Sequence, residues 1–290
     1  MKRIAALLLS SALLSAGSAR AELPYAKDRI AWAKPQAPFH VIGNIYYVGM
    51  AGVSAFLIVT PKGDILTDGG LPETADAIEQ NIQTLGFRLS DVKILLNSHA
   101  HFDHSGGLAK LKKDTGAKFI ASAADRPSLE SGHITYGISS QIDTAPVKVD
   151  RAIREGDTVK LGGVTLTAHI TPGHTKGCTT WTMKLTEDGV AHKVMFFCSL
   201  SVVAPLVGDT AAYPEIVSDF RGSFAKLKKL DADIFFAPHS EQFGMAGKLA
   251  KMKPGAPNPF IDAGEKDRVL TDIEKQFDRQ LAQQQAAAKP

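Results

Sequence analysis

The sequence predicts an α/β fold, and three observations carry that expectation. Short β-rich runs alternate with stretches of helical periodicity along most of the chain. One run, Val92–Leu96, is apolar without a break, as a strand covered on both faces would be. No Pro/Gly/Ser-rich linker and no charge run divides the chain, so residues 22–290 are read as one domain.

Each element has its own signal. Residues 55–60 and Asp64–Thr67 read as strands parted by the turn Pro61-Lys62-Gly63. Residues 73–85 read as a helix, because Ala77, Ile78, Ile82 and Leu85 recur at helical spacing and Gly86 stops it. After the Val92–Leu96 strand, residues 97–105 are rich in His, Asp, Asn and Ser and read as a loop. A helix is expected over 106–115, a strand over 118–121 and a short helix over 123–130. Residues 131–149 contain Gly132, Gly137 and Pro146 without a period, which predicts a mobile loop. Strands return over 152–155, Thr158–Leu161, Val164–Ile170, 179–185 and 193–197, with Asp188-Gly189 as a hairpin signal. A helix over 216–230, a strand over 234–237 and a helical C-terminal region with a polar tail after Gln283 complete the chain.

The first 21 residues are set apart. Lys2 and Arg3 precede an 11-residue apolar run, Ile4 to Leu14, and small residues lead to Ala19-Arg20-Ala21. This is the layout of a cleavable secretory signal peptide, and the run falls short of the about 20 residues that span a bilayer. The expected destination is the periplasm. The net charge is +3, with 33 basic and 30 acidic side chains. Lys2, Arg3 and Arg20 belong to the leader, so 30 basic and 30 acidic groups remain in residues 22–290. That balance offers no electrostatic footprint for nucleic acid. No membrane association is expected once the leader is gone.

The chain has two cysteines, Cys178 and Cys198. They form no C-x-x-C pair, which argues against a thiolate zinc site or thioredoxin-like chemistry. In an oxidising compartment a bridge between them persists. Pairing Leu185 with Ala191 sets the cysteines face to face. A two-residue turn at Asp188-Gly189 instead pairs Glu187 with Val190 and sets Cys178 opposite Ser199. The oxidising compartment favours the first register, so a Cys178–Cys198 disulfide is expected.

The chemistry concentrates in Asn97-Ser98-His99-Ala100-His101-Phe102-Asp103-His104-Ser105. Four potential ligands fall within six residues, directly after a buried strand, where α/β folds place their sites. Imidazole and carboxylate are both zinc ligands, and four such groups on so short a loop suit two adjacent ions better than one. The remaining histidines read as bystanders: His169 on the polar face of its strand, His192 by the hairpin turn, His40 near the N-terminus and His133 in the 131–149 loop.

The H-x-H-x-D-H string resembles the signature of the metallo-β-lactamase fold superfamily. Thr67-Asp68-Gly69-Gly70, Pro172-Gly173-His174-Thr175-Lys176-Gly177 and Pro238-His239 match in order. The resemblance implies a four-layer αββα sandwich of two mixed β-sheets flanked by helices. It assigns His99, His101 and His174 to a first zinc ion, and Asp103, His104 and His239 to a second. After the 193–197 strand stand Cys198-Ser199-Leu200-Ser201, where thioesterase and lactonase members carry a bridging Asp. With the string Gly173-His174-Thr175-Lys176-Gly177-Cys178-Thr179-Thr180-Trp181, this is similar to the third subclass of class B. The chain departs from that subclass in residues 202–210, which lack the Tyr or Asn often found there. The implied activity is β-lactam amide hydrolysis (penicillins, cephalosporins, carbapenems) by a monomer carrying two Zn2+ ions, which confers antibiotic resistance. The alternative is another zinc hydrolase of the fold, a lactonase or thioesterase. Zinc-activated hydroxide is the implied nucleophile, with Asp103 orienting it, Ser199 and Ser201 meeting the substrate carboxylate, and Asp68 orienting a ligand imidazole.

Overall fold

The computed structural model describes residues 25–288. The expected leader, 1–21, lies outside the described residues. The chain opens with helix α1 (Ala26–Trp32) and builds a first sheet from β1 (Phe39–Ile42), β2 (Ile45–Tyr47), β3 (Phe56–Ile58), β4 (Asp64–Thr67), β5 (Val92–Leu96), β6 (Lys118–Ser122) and β7 (Arg151–Ile153). These strands lie in sequence order, antiparallel from β1 to β4 and parallel from β4 to β7. The crossovers carry α2 (Ala75–Thr84), α3 (Phe102–Ser105), α4 (Leu108–Thr115) and α5 (Arg126–Ser131). The second sheet holds β8 (Thr158–Leu161), β9 (Val164–Ile170), β10 (Thr179–Glu187), β11 (Val190–Phe196) and β12 (Ile234–Phe236). Its order is β12-β11-β10-β9-β8, with only β11 and β12 parallel. Helices α6 (Ile216–Leu227), α7 (Met245–Leu249) and α8 (Glu265–Ala287) complete the chain.

Alternation along the strands makes the layers. In the first sheet Phe56, Ile58, Ile65, Leu96 and Ile120 face the second sheet, meeting Leu166, Trp181, Met183, Phe196 and Phe236. Their neighbours Leu57, Leu66, Leu95 and Phe119 face the other way, onto Ile78 and Ile82 of α2 and Leu108 and Leu111 of α4. This is the period-two consequence of pleating. The outer face of the second sheet is covered by Phe220 and Phe224 of α6 and Leu270, Phe277 and Leu281 of α8. The result is the expected αββα sandwich. Burying a side chain of this size is worth about 1.5–3 kcal/mol.

Four local readings differ from the structure. The β1–β2 hairpin, with strands of four and three residues, carried no strand expectation. The 97–105 segment is not loop throughout: Phe102–Ser105 closes a helical turn, with the His104 and Ser105 amides donating to His101 O (3.0 and 2.8 Å). Residues 131–149 are anchored, since Ile134, Val147 and Val149 are buried in the core beneath the first sheet. Finally, Glu187 pairs with Val190 and Leu185 with His192, so the two-residue turn at Asp188-Gly189 decides the register. Asp188 and Gly189 both adopt positive φ, 50° and 79°, as a type I′ turn demands. The disulfide nevertheless joins Cys178 to Cys198, with Cα atoms 5.7 Å apart. Both cysteines lie beyond the last paired residues, Trp181 and Phe196, where the ladder no longer dictates partners.

Candidate metal centre

The six candidate ligands come together where strands end. His99 and His101 follow β5, Asp103 and His104 ride on the α3 turn, His174 follows β9 and His239 follows β12. Local packing explains the placement. Gly173 adopts φ +134°, and a Cβ there would meet the Phe220 ring at 2.8 Å, so the residue before His174 must be glycine. His239 is delivered by a short bridge between the 49–55 and 237–240 segments, in which the Ser54 amide donates to Pro238 O (2.8 Å). The Thr179 amide donates to Ser98 O (2.8 Å), and Trp181 Nε1 to Asn97 O (3.2 Å). These two bonds tie the second sheet to the ligand loop of the first.

Two sets of donors form. His101 Nδ1 and His174 Nε2 are 3.0 Å apart, and His174 Nε2 and His99 Nε2 are 3.1 Å apart. Asp103 Oδ2 lies 3.2 Å from His104 Nε2 and 3.3 Å from His239 Nε2, and those two nitrogens are 3.3 Å apart. These are the two groups of three that the resemblance assigned. His174 donates Nδ1–H to Ser201 O (2.7 Å), so its Nε2 bears a lone pair pointing at the other two rings. Converging lone pairs repel unless a cation lies between them, and imidazole nitrogen is the donor zinc prefers. In the second set, Nδ1 of both His104 and His239 is buried without a partner. With the proton kept on Nδ1, each Nε2 is available, together with Asp103 Oδ2, to an ion held between them, and without an ion an Nε2–H donates to the carboxylate instead. The donor chemistry fits a divalent ion at each set.

Electrostatics prepare the first set. Burial pushes His99 and His174 well below the usual imidazole value and His101 down to about 4. The rings are therefore neutral, the form that binds metal, and protons compete only as pH falls toward that range. In metal-free protein the imidazole NMR signals of these three residues should stay in the neutral form from about pH 8 to about pH 5. Titration of any of them near the ordinary 6.5 would contradict this. At Asp103 burial pushes the carboxyl up, but His104 and His239 outweigh it and hold the group well below the usual carboxylate range. His104 is the converse: burial lowers it, and Asp103 raises it further than that.

Both sets open onto a cavity of about 210 Å³ lined by His101, Asp103, His174, Ser201, His239 and a rim of Tyr25, Trp32, Phe102, Ser139, Val203, Glu241 and Gln242. Trp32 of α1 packs 5.0 Å from the His239 ring. The rim residues were not singled out from the sequence, because they come from five separate segments. Two assigned roles change. Ser201 lines the cavity, but Ser199 is 2% exposed, and its hydroxyl lies 3.1 Å from that of Ser201, so it stands behind the wall. Asp68 does not bond an imidazole. Its Oδ1 accepts from the Ser98 amide (2.6 Å) and Asn97 Nδ2 (3.0 Å), which bends the backbone of the ligand loop instead. The bystanders stay outside: His192 pairs with Asp233 (2.7 Å), His133 with Asp143 (2.7 Å), and His169 with the Thr182 hydroxyl (2.8 Å), while His40 bonds Gly43 O (2.8 Å).

The Cys178–Cys198 sulfurs lie within 4.8 Å of a His99 ring nitrogen, so the bridge braces the floor of the first set. Replacing both cysteines with alanine should cost about 3 kcal/mol and lower Tm by roughly 6–12 °C. Thermal unfolding of the double variant measures this. An unchanged Tm would mean the bridge does not stabilise the fold.

No helix among the described residues is long and apolar enough to cross a membrane. Comparisons with known proteins agree with the geometry. The crystal structure of BJP-1, a subclass B3 metallo-β-lactamase of Bradyrhizobium japonicum, shares 45% identity over 89% of this chain and 98% of its own, with TM-score 0.85. The native FEZ-1 metallo-β-lactamase of Legionella gormanii shares 36% identity over 87% and 98%, with TM-score 0.83. Hydroxyacylglutathione hydrolases of Hyphomonas neptunium and Methylobacterium nodulans are 37% and 36% identical over 28% and 36% of this chain. The chain spans only 25% and 32% of the length of these curated relatives. The family model described as the metallo-beta-lactamase superfamily matches residues 48–239, a stretch that begins beside β2 and ends on the last donor. The chain belongs to the metallo-β-lactamase superfamily, whose fold implies a divalent metal and a hydrolytic activity.

Proposed function

We propose that this protein hydrolyses the β-lactam amide bond of penicillins, cephalosporins and carbapenems, using two zinc ions, one held by His99, His101 and His174 and one by Asp103, His104 and His239. The observation that carries the reading is the wall of the cavity after β11. It presents the Ser201 hydroxyl, and no carboxylate occurs between Phe197 and Ser201. Near-complete coverage of two metallo-β-lactamase structures supports it.

Ions held at these sets would lower the pKa of a bound water to about 7 and polarise a carbonyl oxygen. The chain's own groups do the rest. Asp103 is ionised and can accept a hydrogen bond from the attacking water, fixing its lone pair toward the lactam carbon. The Ser201 hydroxyl lines the cavity, and with the Ser199 hydroxyl 3.1 Å behind it as an alternative partner it can turn its proton to the substrate carboxylate. Trp32 and Phe102 form an apolar wall that excludes bulk water from one side of the cleft. Activity at this site in the periplasm would confer resistance to β-lactams.

The hydroxyacylglutathione hydrolases among the curated relatives favour a second reading, thioester hydrolysis; lactone hydrolysis is the other alternative that the sequence resemblance leaves open. Nitrocefin turnover by purified enzyme, abolished by EDTA and restored by zinc, is the expected result, with two zinc ions per chain by elemental analysis. Cleavage of a thioester or lactone without nitrocefin turnover would replace the first reading by the second.

A further inference from the structure

Asp125 takes no part in the chemistry above, yet its carboxylate is 3% exposed and sits between the two segments that supply the three-histidine set. Its Oδ2 accepts from the Ala100 amide (3.0 Å) and the Thr175 hydroxyl (2.8 Å), and its Oδ1 accepts from the Gly177 amide (2.8 Å). Ala100 stands between His99 and His101, and Thr175 directly follows His174. All three donors are neutral, so this is a buried charge held by hydrogen bonds alone, and burial pushes its pKa up to about 6. Such a group costs stability in most proteins, and its three bonds offset that cost only if all three are made together.

The surrounding chain is shaped for this contact. The Asp125 amide donates to Ser122 Oγ (3.1 Å), which turns the side chain inward at the end of β6. A Cβ at Gly177 would come within 2.0 Å of Ser122 Oγ and 2.6 Å of Asp125 Cγ, so the backbone after His174 passes directly over the carboxylate. The bonds from Thr179 and Trp181 to Ser98 and Asn97 join the same two segments further from His101 and His174. Asp125 reaches the residues adjacent to all three donors.

We propose that Asp125 is a positioning residue for the three-histidine metal set. Its carboxylate clamps the His99–His101 segment against the His174 segment, so that the three nitrogens stand at binding distance before an ion arrives. Outer partners of this kind set metal affinity by fixing the direction of the donors. The inference rests on the metal reading of His99, His101 and His174, and not on the choice of substrate.

Asp125→Asn keeps the shape, but its NH2 must face one of the three donors, so at least one tie is lost. Zinc affinity, measured by competition with a chromophoric chelator, should fall about 10–100-fold. The visible absorption of the Co2+-loaded protein should shift as the donor geometry loosens. A merely structural carboxylate would lower Tm and leave both readouts unchanged. If Asp125→Asn does not fold, Thr175→Val decides, with an expected loss of about fivefold for one hydrogen bond. An affinity within about twofold of the parent in the deciding variant overturns the inference. A parent protein that binds no ion overturns the metal reading and the inference with it, which separates the two failures.

Discussion

Asp103→Asn is expected to lower kcat for nitrocefin by about two orders of magnitude or more with the fold intact. The carboxylate oxygen lies 3.2 Å from His104 Nε2 and 3.3 Å from His239 Nε2, and it is the one anionic donor of the six. An amide of the same shape supplies no charge to a divalent ion and presents an NH2 that cannot ligate. Orientation of the attacking water is lost with it. The helical turn that carries residue 103 does not depend on the carboxylate. It is closed by backbone bonds from the His104 amide to His101 O and from the Gly106 amide to Phe102 O, both 3.0 Å. Circular dichroism should therefore match the parent. Steady-state kinetics close to the parent's would remove Asp103 from the reaction.

His174→Ala should weaken zinc binding at the three-histidine set beyond the about 10–100-fold that loss of an outer partner costs, because a direct donor is gone. The same change frees Ser201 O, which accepts the His174 Nδ1–H, so the cavity wall loosens along with the metal. Nitrocefin turnover should vanish at limiting zinc. Metal content after dialysis against a chelator reads the first effect, and a zinc titration of the rate reads the second. His133→Ala is the control: that ring is exposed and bound to Asp143, outside the cavity, and its loss should leave both readouts as in the parent. Equal metal content in the His174→Ala and parent proteins would exclude His174 as a ligand.

Much of the site was legible in the sequence because ligands on one loop are local. His99, His101, Asp103 and His104 stand within six residues, and a buried strand before them, Val92–Leu96, sets the place in the fold. His174 and His239 were legible only through resemblance, since a lone histidine has no pattern of its own. Asp125 carried no signal at all. Its role is made by donors 25, 50 and 52 residues away, and nothing in Ala124-Asp125-Arg126 marks it as buried. The rim of the cavity escaped for the same reason: Tyr25, Ser139 and Gln242 meet only after both sheets have closed.

The cysteine pair shows the division most directly. Composition and an expected export leader argued for a bridge, and the bridge is present. The register inferred from it was wrong, because Asp188 and Gly189 accept positive φ and so impose a two-residue turn whatever lies further along the two strands. The sequence by itself determined what depends on neighbouring residues: the alternation that makes two sheets, the turns, and the cluster of donors after β5. Only the tertiary structure decided which of the two serines faces the cleft, which carboxylate holds the ligand loops, and how the far cysteines meet. Those outcomes follow from the stacking of one sheet on the other, and packing between distant segments leaves no periodic trace along the chain.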